Sequence, residues 1–276
     1  MTRFADWLAL REPADAAARS AELVDRLALR PPLLIHDLGS GTGSMARWLA
    51  PRLPAPQQWV LHDRDAELLA LAARRLPPGV RVETRIGDLT RLTAADLAGA
   101  SLLTCSALLD MLTATEIEAL VAACAGRPTL LTLTVVGAVR LDPPHPLDAA
   151  VAAAFDAHQR RTVGGRTLAG PDAADIAVTA FRDRGIAVEV RETPWRLGPE
   201  PLALAWFDGW LGAALEQEPD LSGQLNGYVP SRMRQLRAGR LTVCVGHRDL
   251  YAPGTAEPRL RSHRALPRKC RPRGDR

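Results

Sequence analysis

The sequence predicts a doubly wound α/β fold: a mostly parallel seven-stranded sheet, preceded by N-terminal helices and elaborated by two helical insertions. Three observations carry this reading. Short apolar runs at Leu33–Leu38, Trp59–His62, Val80–Ile86, Leu102–Ser106 and Thr129–Val136 alternate with segments of helical periodicity. The first run passes through Asp37 into Gly39-Ser40-Gly41-Thr42-Gly43, a turn whose alternate glycines let the backbone approach a ligand closely. The second and third runs end in Asp63 and in Gly87-Asp88, so carboxylates gather beyond the strand ends, where open α/β sheets bind ligands.

Each element has its own signal. Residues 4–29 read as two helical pieces divided before Pro13, with Phe4, Trp7 and Leu8 on the first apolar face and Leu23, Val24 and Leu27 on the second. A helix over Ser44–Arg52 follows the glycine turn, with Met45, Trp48 and Leu49 on one side. Another spans Asp65–Arg75. Thr113-Ala114-Thr115-Glu116 is a capping box that opens a helix striped by Ile117, Leu120, Val121 and Cys124. The fifth strand is rich in β-branched residues and bounded by Pro128 and Gly137. A helix from Asp172 to Arg184 takes Asp172 as its N-cap and stops at Gly185. Ile186, Val188 and Val190 alternate as a sixth strand, and Leu241, Val243 and Val245 as a seventh.

Two stretches exceed this minimum. Residues 138–171 hold Asp142-Pro143-Pro144-His145-Pro146, a helix through Leu147, Val151, Phe155 and His158, and the basic run Arg160 to Arg166. Residues 194–238 hold a helix bearing Leu202, Trp206, Phe207, Trp210 and Leu211, and a shorter one begun by Pro230. Both follow late strands, so they are expected to gather above the strand C-termini.

The loop spacing narrows the ligand. Dinucleotide-binding turns read G-x-G-x-x-G, whereas Gly39, Gly41 and Gly43 read G-x-G-x-G behind Asp37. A short-chain nicotinamide oxidoreductase would also need a Tyr-x-x-x-Lys pair, and the single lysine is Lys269, near the C-terminus. Asp63, twenty positions after Gly43, can accept both hydroxyls of a ribose. This series resembles the class I S-adenosylmethionine-dependent methyltransferases, well over residues 30–136 and elsewhere only by architecture. The resemblance implies that Asp37, Gly39, Ser40, Gly41, Thr42 and Gly43 hold the methionine part of the cofactor S-adenosylmethionine. It places Asp63, with Arg64 beside it, on the ribose, and Asp88 with Leu89 along the adenine. It puts Ser106 next to the reacting methyl, makes the seventh strand antiparallel, and makes the insertions a substrate lid. The plainer alternative for Asp63 and Asp88 is helix capping.

The expected organisation is N-terminal helices over 1–30, a methyltransferase domain over 31–251 with insertions at 138–171 and 194–238, and a disordered basic tail over 252–276. The formal charge of +4 belongs to that tail: from Ala252 onward eight Arg and Lys face two carboxylates, which leaves the rest of the chain slightly acidic. That distribution argues against nucleic acid as a partner of the body. A hydrophobic content of 47% can fill a sizeable core, and no run of about 18 apolar residues is present to span a membrane. Four widely spaced cysteines, Cys105, Cys124, Cys244 and Cys270, suit reduced cytoplasmic thiols and neither disulfides nor a metal site.

The stretch after the fourth strand reads Thr104-Cys105-Ser106-Ala107-Leu108-Leu109-Asp110-Met111. It lacks the Asn/Asp-Pro-Pro-Tyr/Phe loop of amino-nitrogen methylation in adenine or glutamine, and no Pro-Cys dipeptide for cytosine C5 chemistry occurs in the chain. These absences point toward a small-molecule acceptor methylated on O or N. Asp110 is the first candidate to orient that acceptor or take its proton, and His145 the second. Arg160, Arg161 and Arg166 are either anion ligands or a solvated basic loop. Trp206 and Trp210, four apart on a helix, are core residues or, with Trp195 and Tyr228, the walls of an aromatic pocket. An RNA methyltransferase using the basic tail and a non-catalytic S-adenosylmethionine-binding protein remain the alternatives. The acceptor and the oligomeric state are not encoded in any motif.

Overall fold

The computed structural model describes residues 3–254. In chain order the strands are β1 (Leu33–Leu38), β2 (Gln57–Asp63), β3 (Arg81–Ile86), β4 (Leu102–Ser106), β5 (Thr129–Asp142), the two-residue pair β6 (Thr162–Val163) and β7 (Arg166–Thr167), β8 (Glu189–Glu192), β9 (Trp195–Leu197) and β10 (Thr242–Ala252). The helices are α1 (Arg3–Ala18), α2 (Ala21–Asp25), α3 (Ser44–Leu49), α4 (Ala66–Arg75), α5 (Ala114–Cys124), α6 (Asp148–Gln159), α7 (Ala173–Arg182), α8 (Pro201–Gln217) and α9 (Tyr228–Arg237).

The main sheet runs β3-β2-β1-β4-β5-β10-β8, with β9 also paired to β10. Pairing is parallel from β3 to β5, and β10 is antiparallel to β5, β8 and β9. This is the doubly wound, mostly parallel sheet with an antiparallel penultimate strand expected of the class I methyltransferase fold. Reversal of strand order at β1 and β4 opens a crevice at their carboxyl ends.

Three apolar clusters hold the layers. Ile35, Trp59 and Leu61 pack with Met45, Leu49 and Leu69 on one face of the sheet. Leu38, Leu103 and Leu131 pack with Ile117, Val121 and Phe181 on the other. The third lies beyond the sheet, where Leu141, Val243 and Leu197 meet Val151, Trp206, Phe207, Trp210 and Tyr228 from the two insertions. The insertions thus share a core with the protruding ends of β5, β9 and β10.

Several expectations change. The N-terminal helix does not divide before Pro13; α1 runs through it, and the break falls at Arg19-Ser20. Ser20 caps α2 by accepting from the Leu23 N–H at 3.2 Å. Strand β5 does not stop at Gly137 but continues to Asp142, because Gly137 takes φ +65° and absorbs the irregularity as a bulge rather than an end. The edge strand starts at Glu189, not Ile186, whose side chain is buried in the core beneath. Asp172 stands at the N-cap of α7 as expected, but its side chain makes no capping bond and is bound instead by Arg160 at 2.6 Å. Ala252, assigned to the tail, is the last residue of β10 and is buried. The remainder of the tail, including Cys270, lies outside the described residues beyond 254. The Thr113–Glu116 capping box forms with both of its hydrogen bonds.

One buried carboxylate joins the parts. Asp249, on β10, accepts from the Ser20 N–H at 2.8 Å, from the Leu133 N–H at 2.7 Å and from the Thr193 hydroxyl at 2.9 Å. Leu133 takes φ +55° at a register shift in β5, and Thr193 stands in the break between β8 and β9. Removing the carboxylate in Asp249→Ala leaves three buried donors unpaired at about 1–3 kcal/mol each. The expected loss is about 3–5 kcal/mol, or roughly 6–20 °C in melting temperature for a domain of this size. Asp249→Asn keeps one acceptor oxygen and costs about half as much. An Asp249→Ala melting curve within about 2 °C of wild type contradicts this role.

Candidate functional site

The glycine turn is shaped by residue size. Gly39, Gly41 and Gly43 have φ of +70°, +52° and +82°, which side chains rarely adopt. A Cβ on Gly39 would come within 2.5 Å of the Leu108 side chain, and one on Gly41 would touch Leu8 of α1 at 3.4 Å. Glycine at position 39 therefore lets the post-β4 loop close down on the turn. The turn is pinned by the Ser40 N–H donating to the His62 carbonyl at 2.9 Å and the Gly41 N–H donating to Asp63 Oδ2 at 2.8 Å. The other oxygen of Asp63 accepts from the Asp65 N–H at 3.0 Å. Asp63 thus carries the loop, and each of its oxygens keeps a further lone pair.

Two opposite charges are buried beside this turn. Asp37 is 1% exposed and Arg19 4%. Asp37 Oδ1 accepts from the Thr104 hydroxyl at 2.7 Å, and Oδ2 has no partner among the described residues. Burial pushes the Asp37 carboxyl up to about 6, against the opposing pull of the Thr104 bond and the Arg19 charge. Arg19 Nη2 donates to Ser44 Oγ at 2.9 Å and Ser106 Oγ at 3.1 Å, while its Nε and Nη1, like Ser40 Oγ, lack partners among the described residues. Buried unpaired polar atoms are costly, so such a cluster marks a place for a polar ligand. These donors and acceptors suit one that carries both a carboxylate and an ammonium.

The remaining expected cofactor residues divide. Thr42 is buried within the turn, and its carbonyl accepts from Arg47 at 2.5 Å. Arg64 is exposed. Asp88 caps the short turn after β3, accepting from the Thr90 N–H at 3.0 Å and the Thr90 hydroxyl at 2.8 Å. A hollow of about 170 Å³ is nevertheless lined by Ile86, Gly87, Asp88, Leu89 and Leu92, with His62 and Arg85 beside them. His62 stacks on His36 with ring nitrogens 3.0 Å apart, and burial lowers both imidazoles to about 4, so the pair is neutral at physiological pH.

A second cavity, of about 180 Å³, adjoins the post-β4 loop. Ala107 and Asp110 border it from that loop, Trp7 and Arg11 from α1, Phe155 and Gln159 from α6, and Trp206 from α8. Trp195 of β9, His247 of β10 and several β5 residues, among them Leu133, Val135 and Val139, also line it. Both insertions and the N-terminal helix therefore supply residues to one cavity. Burial raises the Asp110 carboxyl above its ordinary value, partly offset by the charges of Arg11 and Arg161. Arg11 lies 4.7 Å from the Trp195 ring centroid and is neutralised by Asp15, whose Oδ1 also accepts from Trp195 Nε1 at 3.1 Å.

His145 does not line this cavity. Its ring nitrogen accepts from the Leu147 N–H at 3.2 Å and its own N–H donates to Asp148 at 2.8 Å, which fixes the start of α6. Tyr228 is likewise committed, through its hydroxyl, to Asp148 at 2.7 Å. Arg160 is paired with Asp172 and Arg166 with Glu116, so both read as a solvated basic loop. His158 reaches Glu216 at 3.2 Å. The residues that sequence reasoning passed over are Arg19, Arg11 and His247, polar side chains with no motif around them and with other charged residues close by in sequence, so that no local signal marks them.

His247 is 2% exposed, and its Nδ1 lies 3.0 Å from the Val245 carbonyl. A carbonyl only accepts, so Nδ1 carries the proton. Burial, aided by the charge of Arg11, lowers this imidazole to about 3, and the ring is neutral with an unprotonated Nε2. No group of three or more His, Cys, Asp or Glu able to hold a metal occurs among the described residues.

Residues 35–127 match the family profile of a methyltransferase domain. No curated protein sequence matches the chain. Among solved structures, a Bacillus halodurans C-125 protein assigned as a methyltransferase aligns with a TM-score of 0.52 at 16% identity, over 85% of this chain and 98% of that one. An O-methyltransferase family protein of Burkholderia thailandensis aligns with a TM-score of 0.47 at 17% identity, over 88% of this chain and 58% of that one. A geranyl diphosphate C-methyltransferase of Streptomyces coelicolor A3(2) aligns at 0.44 and 12% identity, over 85% and 76%. The matched segment spans β1 to the end of α5 and so contains the glycine turn, Asp63 and the post-β4 loop. Matched domain, sheet order and turn agree: over residues 35–127 the chain is similar to a methyltransferase domain, and its sheet has the class I methyltransferase fold.

Proposed function

We propose that the protein transfers the methyl group of S-adenosylmethionine to an oxygen or nitrogen of a small molecule held in the cavity beside Asp110. The observation that carries this is the cavity itself: about 180 Å³, adjoining the post-β4 loop and walled by both insertions. A polymer strand would need an open groove with phosphate-binding charge, whereas Arg11, the cationic wall residue, is already paired with Asp15. No helix among the described residues is long and apolar enough to cross a membrane.

In this reading the cofactor's carboxylate is taken by the free guanidinium edge of Arg19, and its ammonium by Asp37 Oδ2. The turn from Gly39 to Gly43 admits the methionine chain, Asp63 takes the ribose diol, and the hollow at Asp88 and Leu89 takes the adenine. When bound, the cofactor supplies an electrophilic methyl on a sulfonium. The chain's task is then to align the acceptor and exclude water, and alignment alone can supply much of the acceleration. Asp110, whose carboxyl burial raises above its ordinary value, orients a polar group of the substrate from the post-β4 loop.

S-adenosylhomocysteine at about 100 times its dissociation constant is expected to stabilise the fold by roughly 2.7 kcal/mol, a shift of very roughly 5–10 °C, and NADH to give none. Asp63→Ala is expected to lose at least about tenfold in affinity. A shift with NADH alone, or an unchanged Asp63→Ala, contradicts the assigned cleft.

The titration of Asp37 sets a pH dependence. The cofactor's ammonium needs the ionised carboxyl, which in the free protein persists only above about pH 6. Affinity is therefore expected to be flat above that pH and to fall by up to tenfold per unit below it. Calorimetric titrations between pH 5 and 8 measure this. Asp37→Asn is expected to bind weakly with that slope abolished, and a wild-type affinity that rises on acidification refutes the pairing.

The acceptor class is tested with methyl-labelled S-adenosylmethionine and a cell extract. Label is expected in the small-molecule fraction. Label confined to RNA identifies a nucleic-acid enzyme, and no transfer to any fraction identifies a binding protein; either overturns the proposal.

A further inference from the structure

We infer that the cavity takes a single-ring aromatic acceptor bearing a hydroxyl or amino group, and that this group donates its hydrogen to Nε2 of His247. The inference rests on the methyltransferase reading of the site and names its substrate class.

Size comes first. A cavity of about 180 Å³ is little larger than the roughly 150 Å³ apolar cavities that bind benzene, so one ring and a small substituent fit it. Its walls set the shape. Trp7, Phe155, Trp195 and Trp206 contribute four aromatic side chains from four different elements, and Trp206 is itself stacked on Trp210 with centroids 5.3 Å apart. Rigid aromatic walls favour a flat guest that can stack or meet them edge-on over a flexible chain, which would lose its rotamers on entry.

Polarity comes second. Arg11 is neutralised by Asp15, and the Trp195 N–H is spent on the same carboxylate, so neither is available to select an anionic ring. His247 differs. Its Nδ1–H is used by the Val245 carbonyl and its ring is held at 5.0 Å from Trp195, which leaves Nε2 as a fixed lone pair with no partner among the described residues. A lone pair held in place can only accept. An incoming hydroxyl or amine satisfies it and is thereby turned about its ring, while its own lone pair stays free for the methyl. A ring without such a donor leaves Nε2 desolvated and unpaired, which is a penalty on top of a missing bond.

Calorimetric titration of the full-length protein with phenol, aniline and benzene tests this, with S-adenosylhomocysteine titrated into the same samples. Phenol and aniline are expected to bind at least about tenfold more tightly than benzene. His247→Asn retains an N–H able to reach the Val245 carbonyl but has no counterpart of Nε2. It is expected to bring phenol to within about threefold of benzene without changing benzene or S-adenosylhomocysteine. The inference is overturned if phenol and benzene bind wild type equally, if the gap survives in His247→Asn, or if no ring binds. The wild-type comparison decides the matter even where the variant does not fold. Failure of S-adenosylhomocysteine to bind wild type would instead remove the methyltransferase reading, so the two failures are separable.

Discussion

The carboxylate of Asp249 is the constraint on which the rest of this structure depends. A carboxylate with no solvent exposure is costly unless it is hydrogen-bonded, and here the three donors come from three distant parts of the chain. The Ser20 N–H fixes where α1 ends, and so brings Arg19 to Ser44 and Ser106 beside the glycine turn. The Leu133 N–H holds β5 in the irregular conformation that redirects it past the sheet. The Thr193 hydroxyl holds the break that turns β8 into β9, from which Trp195 reaches the cavity wall. One side chain thereby couples the cleft at the glycine turn to the cavity beside Asp110, although it touches neither a catalytic candidate nor the glycine turn.

The cleft itself is organised by uncompensated charge. Arg19 and Asp37 are both deeply buried, each with polar atoms left unpaired, an arrangement that destabilises the empty fold and is relieved by a zwitterion. On the proposed reading binding energy is prepared in advance: the desolvation cost of these groups is borne on folding, and a zwitterionic ligand would collect the favourable interactions without a further penalty. The acceptor cavity is built on the opposite rule. Its charges are neutralised locally, its walls are aromatic and aliphatic, and the polar groups that remain, Asp110, Gln159 and His247, are few and fixed. Recognition there is a matter of shape and of one or two hydrogen bonds.

The parallel half of the fold was legible because its determinants are local. The apolar runs of β1, β2, β4 and β5, the glycine turn and the capping box at Thr113 each lie within a few residues of sequence. The irregularities were not legible, because each depends on a distant partner. Gly137 reads as a strand end until β10 is known to run alongside and carry β5 through a bulge. Pro13 reads as a helix break, and α1 instead packs as a single unit against β9 and α8 while the real break is set by Asp249. The site divides in the same way: Asp37, the glycines and Asp63 announce themselves by spacing, whereas Arg19 and His247 are single residues whose partners lie 87 positions away at Ser106 and, for the cavity, on α1 and β9. His145, flanked by prolines, reads as a candidate base, and its bonds to Asp148 and Leu147, which set the start of α6, could not be read from the sequence.

The central claim is that Arg19 and Asp37 form the two poles of a cofactor site over the glycine turn. A crystal structure of the protein with S-adenosylhomocysteine tests it most directly. The account predicts the ligand carboxylate within hydrogen-bond distance of Arg19 Nε or Nη1, and the ammonium facing Asp37 Oδ2. A ligand bound elsewhere, or one seated on the turn with both of these side chains still unpaired, would contradict it.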